Sequence, residues 1–377
     1  MLKTLQQIDQ ELIQLLNQRS SLLTGSSDSS LPVETAKLLA QNGLPEFVWE
    51  SLTTCCEAAA TTAIPTATVA PREITIIGGA GQMGRFFTKQ FVSAGHDVRQ
   101  LGRHNWADAK AYLATADLVL ISVPMQQTVE VIQRATPHLS PTSAIADVNS
   151  IKGPVVEAML AHHCGPVLGM HPMFGPGLSS FLAQNVVICP GRDLEAFQWL
   201  LDLMSGQGGN LLTCTPEEHD QMMVTVQAIR HFSSFGLGVF LAQEGIDLDR
   251  SLDFSSAPYR LQLNLVSRLF AQDAALPIDL MVSSEDHRQA ITALAETYSR
   301  LAQLVLKEDQ ATLEKEFEST SQVFQTQVPH ALQESQHLIQ SLSVLLAANT
   351  TNRAGSLCEV LSKALTPNSS PRAGEGS

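Results

Sequence analysis

Apolar positions follow two different rhythms along this chain. In residues 1–24, Leu5, Ile8, Leu12, Leu15, Leu16, Leu22 and Leu23 recur every three or four positions, which predicts an amphipathic helix. "TGSSDSSLP" (24–32) interrupts it, and further helical patterns follow at 33–42 and 45–60. "TTAIPTATVAP" (61–71) has no period and reads as a linker, giving a helical region 1–64 and a joining segment 65–71. From Ile74 the rhythm changes. Compact apolar runs predict strands at 73–77, 97–101, 117–122, 143–147, 166–169 and 185–189, with helical patterns at 82–94, 106–114, 126–135 and 153–162. Strand–helix alternation implies an α/β fold, a Rossmann-like, doubly wound and mostly parallel sheet over residues 72–192. Beyond Asp193 one strand candidate, 210–213, precedes long helical patterns, so 193–348 is expected to be an all-α domain and 349–377 a disordered tail.

Charge narrows the partners. With a net charge of −14 over 377 residues, the chain is a poor nucleic-acid binder, although a few arginines in one cleft still suit a small anion. The six cysteines show no CxxC pairing, and "AHHC" (161–164) points its adjacent histidines in different directions, so no metal site is expected. No apolar run approaches the roughly 20 residues of a membrane span. The N-terminus lacks a signal-peptide layout, and a cytoplasmic location is expected.

The chemistry begins at "EITIIGGAGQMG". An apolar strand leads directly into Gly79-x-Gly81-x-x-Gly84, and a helical pattern follows. In that context Gly79 allows a tight turn, Gly81 lets a pyrophosphate approach the backbone, and Gly84 lets the helix pack on the strand. A dinucleotide is the expected cofactor. An NAD site usually carries Asp or Glu at the end of the second strand. Here "QLGRHNW" offers Gly102, Arg103 and His104 instead, cations suited to a 2′-phosphate, which favours NADP and leaves NAD possible. Two solvated surface residues would give the same string.

Two further segments follow predicted strands, where such sheets place their ligands. "ADVNSIKGP" (146–154) puts Ser150 and Lys152 on a strand-end turn, and "VLGMHPMFGPG" (167–177) puts His171 on another. A histidine there suits a general base, and a structural histidine in a Pro/Gly loop fits the pattern equally. In the helical region, His219, Met223, Val226 and Arg230 share one helix face, with His231 pointing elsewhere. Arg260 and Arg268 lie in the apolar helix of "SAPYRLQLNLVSRLFAQD" (256–273) and call for a substrate anion or an internal carboxylate.

Together, "GGAGQMGRFF", "LISVP", "DVNSIKGP", "VLGMHPMFGP", "EEHDQMM", "QAIRHF" and "SSAPYRLQLNLVSRLFAQD" resemble the prephenate dehydrogenase family, in the form fused to chorismate mutase, over residues 72–345. The resemblance implies oxidative decarboxylation of prephenate to 4-hydroxyphenylpyruvate in tyrosine biosynthesis, with hydride passing to NAD(P). It also implies a homodimer and feedback by tyrosine. His171 would take the hydrogen bond from the substrate's 4-hydroxyl, and Ser150 would orient it. Arg268, with Arg260 nearby, would grip a carboxylate. Lys152, His219 and His231 would complete the substrate site. Gln82, Met83 and Ser122 join the glycines at the cofactor. Many mutase-fused members carry an acid where Gly102 stands, so its absence again points to NADP.

"QIDQELIQLLNQR" (7–19) and "GLPEFVWESLTTCCEAA" (43–59) resemble the first and last mutase helices. Residues 1–64, however, hold only Lys3, Arg19 and Lys37 as cations against a dianionic substrate, so a degenerate mutase without activity is expected. Arogenate is the competing substrate. A β-hydroxyacid dehydrogenase would need a lysine in its helical domain, and 215–300 contains none. A non-catalytic nucleotide-binding regulator would not need His171, Ser150 and Arg268 together.

Overall fold

The computed structural model describes residues 4–22, 33–61, 70–175 and 177–364. The interrupting segment at 24–32, most of the linker and the tail from 365 fall outside them. Three helices come first: α1 (Leu5–Leu22), α2 (Val33–Gln41) and α3 (Glu46–Thr61), with α1 and α2 packed on α3. The sheet then builds through β1 (Glu73–Ile77), α4 (Gln82–Ser93), β2 (Asp97–Leu101), α5 (Ala109–Ala114), β3 (Leu118–Ile121), α6 (Thr128–Ala135), β4 (Ala144–Asp147) and α7 (Gly153–His162). It continues with β5 (Val167–Pro172), β6 (Asn185–Arg192), α8 (Gln198–Gly206) and β7 (Asn210–Thr213).

Strand order is β2-β1-β3-β4-β5-β6-β7. Every neighbouring pair is parallel except β5–β6. A parallel neighbour needs a crossover, usually helical. The connection 173–184 carries no helix among its described residues, so β6 returns antiparallel. Alternation along each strand supplies two cores. Ile77, Val119, Ile121, Ile145 and Val167 pack with Leu113, Ile132 and Met159 on one face. Ile76, Leu118, Leu120, Leu168 and Met170 pack with Phe86, Phe87, Phe91, Leu200 and Met204 on the other. Helices therefore cover both faces, the doubly wound arrangement.

Residues past 192 depart from the expected division. β7 is a sheet strand, pairing with β6 from Asn185↔Asn210 to Ile188↔Thr213. The first compact unit accordingly runs to Ile229 and includes α9 (Pro216–Met223), a π-helical turn (Val224–Ile229) and the segment Asp279–His287. The second unit is helical: α10 (Arg230–Gln243), α11 (Leu248–Asp253), α12 (Ala257–Phe270), the first half of α13 (Ala275–Val282), most of α14 (Glu285–Leu306), α15 (Gln310–Phe324) and α16 (Val328–Ala364). Gly238 lets α10 close on α12, since a Cβ there would lie 2.2 Å from the Phe270 ring. α16 continues past 348, where a disordered tail was expected, because no proline interrupts it before Pro367. No helix among the described residues is long and apolar enough to cross a membrane, and no group of three metal-ligating side chains occurs among them.

Candidate active site

The turn after β1 is built on close approach. Gly78 has φ +88°, and a Cβ there would sit 2.2 Å from the Ser122 carbonyl oxygen, just past β3. The left-handed residue is thus Gly78, one position before the expected Gly79. The Gly81 amide bonds the Gly78 carbonyl at 2.9 Å, and α4 starts at the next residue. A Cβ on Gly84 would meet the Gly78 oxygen at 2.4 Å and Gly79 Cα at 2.6 Å, so the helix is pressed against the turn. Gly81 and Gln82 are exposed and Met83 half-buried. The first amides of a helix have no partner within it, and the dipole adds positive potential. Bare backbone and free amides at the β1/β3 switch point fit a dinucleotide pyrophosphate, which Gly81, Gln82, Met83 and Gly84 would hold.

Beyond β2, the Asn105 side chain closes a small loop: its Oδ1 accepts the Gly102 amide at 2.8 Å and its Nδ2 donates to the Gln100 carbonyl at 2.9 Å. Arg103 and His104 on that loop are exposed, with open room for an anion beside Gly102.

His171 is the next-to-last residue of β5 rather than part of a following turn, because pairing with β6 runs on through His171↔Val187 and Pro172↔Val186. It lies at the same strand edge as the glycine turn, three strands from β1, a separation of about 14 Å. The residue is 4% exposed. Its Nδ1 is 2.8 Å from His219 Nε2, and His219 Nδ1 is 2.7 Å from Asp220 Oδ1. Asp220 also accepts the backbone amides of Lys152 and Gly153, each at 2.8 Å. Burial alone would raise the Asp220 carboxyl, but these hydrogen bonds outweigh it and hold the group below its ordinary range, as a carboxylate.

That carboxylate orders the chain of rings. It accepts a hydrogen bond from His219 Nδ1–H, and in the neutral ring this makes His219 Nε2 an acceptor. His171 then donates from Nδ1 and carries its lone pair on Nε2. Burial, and then the Lys152 ammonium, push the His171 imidazole well below its usual pKa, so it stays neutral. A neutral imidazole with one fixed lone pair at the carboxyl edge of the sheet can serve as a general base.

Lys152 does not face a substrate. Its side chain is fully buried, pairs with Asp147 at the end of β4 and donates to the Met170 carbonyl at 2.8 Å. Gly169 leaves room for its stem, since a Cβ there would approach Lys152 Cδ at 3.1 Å. Ser150 is half-buried on the same turn, but both nitrogens of His171 are engaged elsewhere, by His219 and Gln227, so it is not the residue that orients the ring. The predicted face through Val226 and Arg230 is broken by the π-turn. Met223 and Ala228 are buried while Val226 is 45% exposed. His231, expected to point away, is buried next to Arg230 at 3.0 Å, and burial followed by the Arg230 charge lowers its pKa to about 4. On α12 the buried stripe is Leu263, Val266 and Leu269. Arg260 donates to the Leu252 carbonyl at 2.8 Å, and Arg268 is exposed, so neither arginine meets an internal carboxylate among the described residues.

Asp147, Asp220 and Gln227 were not anticipated. Asp147 had a signal, a carboxylate ending the apolar run "AIAD", and Asp220 sits beside a predicted site residue in "EEHDQMM". Gln227 opens the quoted stretch "QAIRHF", but its approach to His171 had no signal, because the π-turn brings it there.

A family model described as the nucleotide-binding domain of prephenate dehydrogenase matches residues 93–213, and one described as its dimerization domain matches 215–319. The T-protein of Enterobacter agglomerans is 40% identical over 270 residues, 72% of each chain. That of Haemophilus influenzae is 36% identical over 273 residues, again 72% of each. The crystal structure of prephenate dehydrogenase from A. aeolicus, in complex with hydroxyphenyl propionate and NAD+, superposes with a TM-score of 0.56 at 18% identity, over 67% of this chain and 97% of that one, and shows the same fold. With two matched domains and relatives of this identity, the chain belongs to the prephenate dehydrogenase family.

Proposed function

We propose that the protein oxidises and decarboxylates prephenate to 4-hydroxyphenylpyruvate, with NADP as the hydride acceptor, in tyrosine biosynthesis. The observation that carries this reading is the Asp220–His219–His171 chain, which leaves a base lone pair at the carboxyl edge of a dinucleotide fold. A bound nicotinamide supplies the site that accepts hydride from C4 of the ring. As C4 gains carbonyl character, its hydroxyl proton passes to His171 Nε2. The pair from the breaking carboxylate bond enters the ring, carbon dioxide departs, and the proton returns to the aromatic oxygen. Asp220 stabilises the transient imidazolium through His219. Arg268 and Arg260 are the candidate grips for the substrate's carboxylates, Ser150 for its hydroxyl, and His231 for substrate or a tyrosine inhibitor. Arg103 and His104 hold the 2′-phosphate of the cofactor. The protein works as a homodimer through its helical domain, and its N-terminal helices lack mutase activity.

Initial rates with prephenate and arogenate, each with NAD+ and NADP+, test the assignment through the absorbance of reduced nicotinamide. Prephenate with NADP+ is expected to be fastest; turnover of arogenate alone would move the substrate assignment, and no turnover of either would leave a nucleotide-binding regulator. His171→Asn is expected to lower turnover by roughly 10²–10⁴-fold with dinucleotide affinity unchanged.

A further inference from the structure

The π-turn Val224–Ile229 places a side chain against the free nitrogen of His171. Gln227 Nε2 lies 3.3 Å from His171 Nε2, the atom that carries the lone pair. In a regular helix, positions eight apart, such as His219 and Gln227, differ by about 80° around the axis. The wider π-turn twists less per residue and lets both reach the same imidazole, one at each nitrogen.

The direction of the Gln227 amide follows from the chain of rings. Were the amide reversed, its oxygen would need a proton on His171 Nε2. His171 Nδ1 would then accept from His219 Nε2, and a neutral His219 would turn a bare Nδ1 lone pair on the Asp220 carboxylate at 2.7 Å. That contact is repulsive, so beside a neutral His219 the amide nitrogen faces the base and donates to it. The Gln227 oxygen is buried and has no hydrogen-bond partner among the described residues. Polar atoms left this way are rare and need an explanation.

We propose that Gln227 is a positioning residue for the dehydrogenation. Its amide holds the His171 lone pair in one direction and unprotonated until the substrate's hydroxyl replaces it. The long 3.3 Å contact is weak enough to exchange. The inference rests on reading His171 as the base. The other titratable groups around that ring are Lys152 with Asp147 and His219 with Asp220, and none of them touches Nε2.

Two near-isosteric variants of the full chain test it. Gln227→Leu removes the donor to the lone pair, which destabilises only the neutral ring. The acid limb of the pH profile of kcat/KM is then expected to move up by about half to one unit, with KM raised. Gln227→Glu places a carboxylate on Nε2 and favours the protonated ring. Histidine labelled with ¹⁵N, with the His171 signals identified by their loss in His171→Asn, reads this without substrate. Near neutral pH, Nε2 of His171 is expected to be bare in the parent protein and protonated in Gln227→Glu. A bare Nε2 in Gln227→Glu, or an acid limb unmoved in Gln227→Leu, would overturn the proposal. An expected ¹⁵N pattern with no turnover of prephenate or arogenate in the parent protein would instead remove the dehydrogenase reading.

Discussion

Lys152 shows how one side chain can serve a site without touching a ligand. It is fully buried with Asp147, and its ammonium is the second-largest influence, after burial, keeping His171 neutral. Breaking a buried pair by removing one member is far costlier than never having it, because the remaining charge is stranded. Lys152→Met is therefore expected to cost about 3–5 kcal/mol in urea unfolding. Its second effect has a definite sign. A base works above its pKa, and a lowered pKa extends activity toward acid. Losing the ammonium lets the His171 pKa rise toward its ordinary value of about 6.5, so the acid limb of kcat/KM should move upward. A destabilised variant with an unmoved limb would make Lys152 purely structural. The lysine was legible as a site residue from its strand-end turn, but its inward direction was not. That direction depends on Asp147, five residues earlier, and on the space left by Gly169, a neighbour one strand away.

At the level of elements, the glycine turn separates two roles that a motif merges. Gly84 is fixed by the protein itself: an added Cβ would meet backbone at 2.4 and 2.6 Å, which no rotamer relieves. At Gly81 the nearest atom is the Gly78 oxygen at 3.1 Å, a contact that shifts of a few tenths of an ångström absorb. Gly84→Ala should thus lower both thermal stability and dinucleotide affinity. Gly81→Ala should leave the melting temperature nearly unchanged and weaken the dinucleotide by about tenfold or more, read by calorimetric titration. Equal losses in both variants would mean that Gly81 serves only the fold. The strands and helices from β1 to β4 were readable because each apolar run is short, and each is buried by its immediate neighbours. β6 was readable as a strand but not in its direction, which depends on a helix being absent from 173–184. The π-turn was not readable at all. Its apolar and polar positions satisfy an ordinary helical period, and the contact that distinguishes the wider turn, Gln227 against His171, joins residues 56 apart in sequence.

Across the whole molecule, division into a sheet unit and a helical unit was visible in the change of period, and its border was not, because β7 adds to the sheet edge after the apolar texture has already turned helical. The N-terminal helices pose the remaining functional question. α1 leaves Leu5, Leu12 and Leu15 between 48% and 76% exposed, so its apolar stripe is left largely uncovered among the described residues. Rearrangement of a chorismate dianion needs fixed cations at two carboxylates and at the ether oxygen, where charge develops. Among the described residues of this region the cations are Arg19, whose guanidinium lies 5.9 Å from the Trp49 ring centroid, and Lys37 on α2. The sequence of this region adds only Lys3, and a symmetric pair of shared pockets would still hold no more than these three cations apiece; with Arg19 held over an aromatic ring, they leave part of the three sites of negative charge uncovered. Purified protein that turns over prephenate should therefore leave chorismate at its uncatalysed rate in the same buffer. Conversion clearly above that rate, lost in Arg19→Ala, would restore a working mutase to the N-terminal helices.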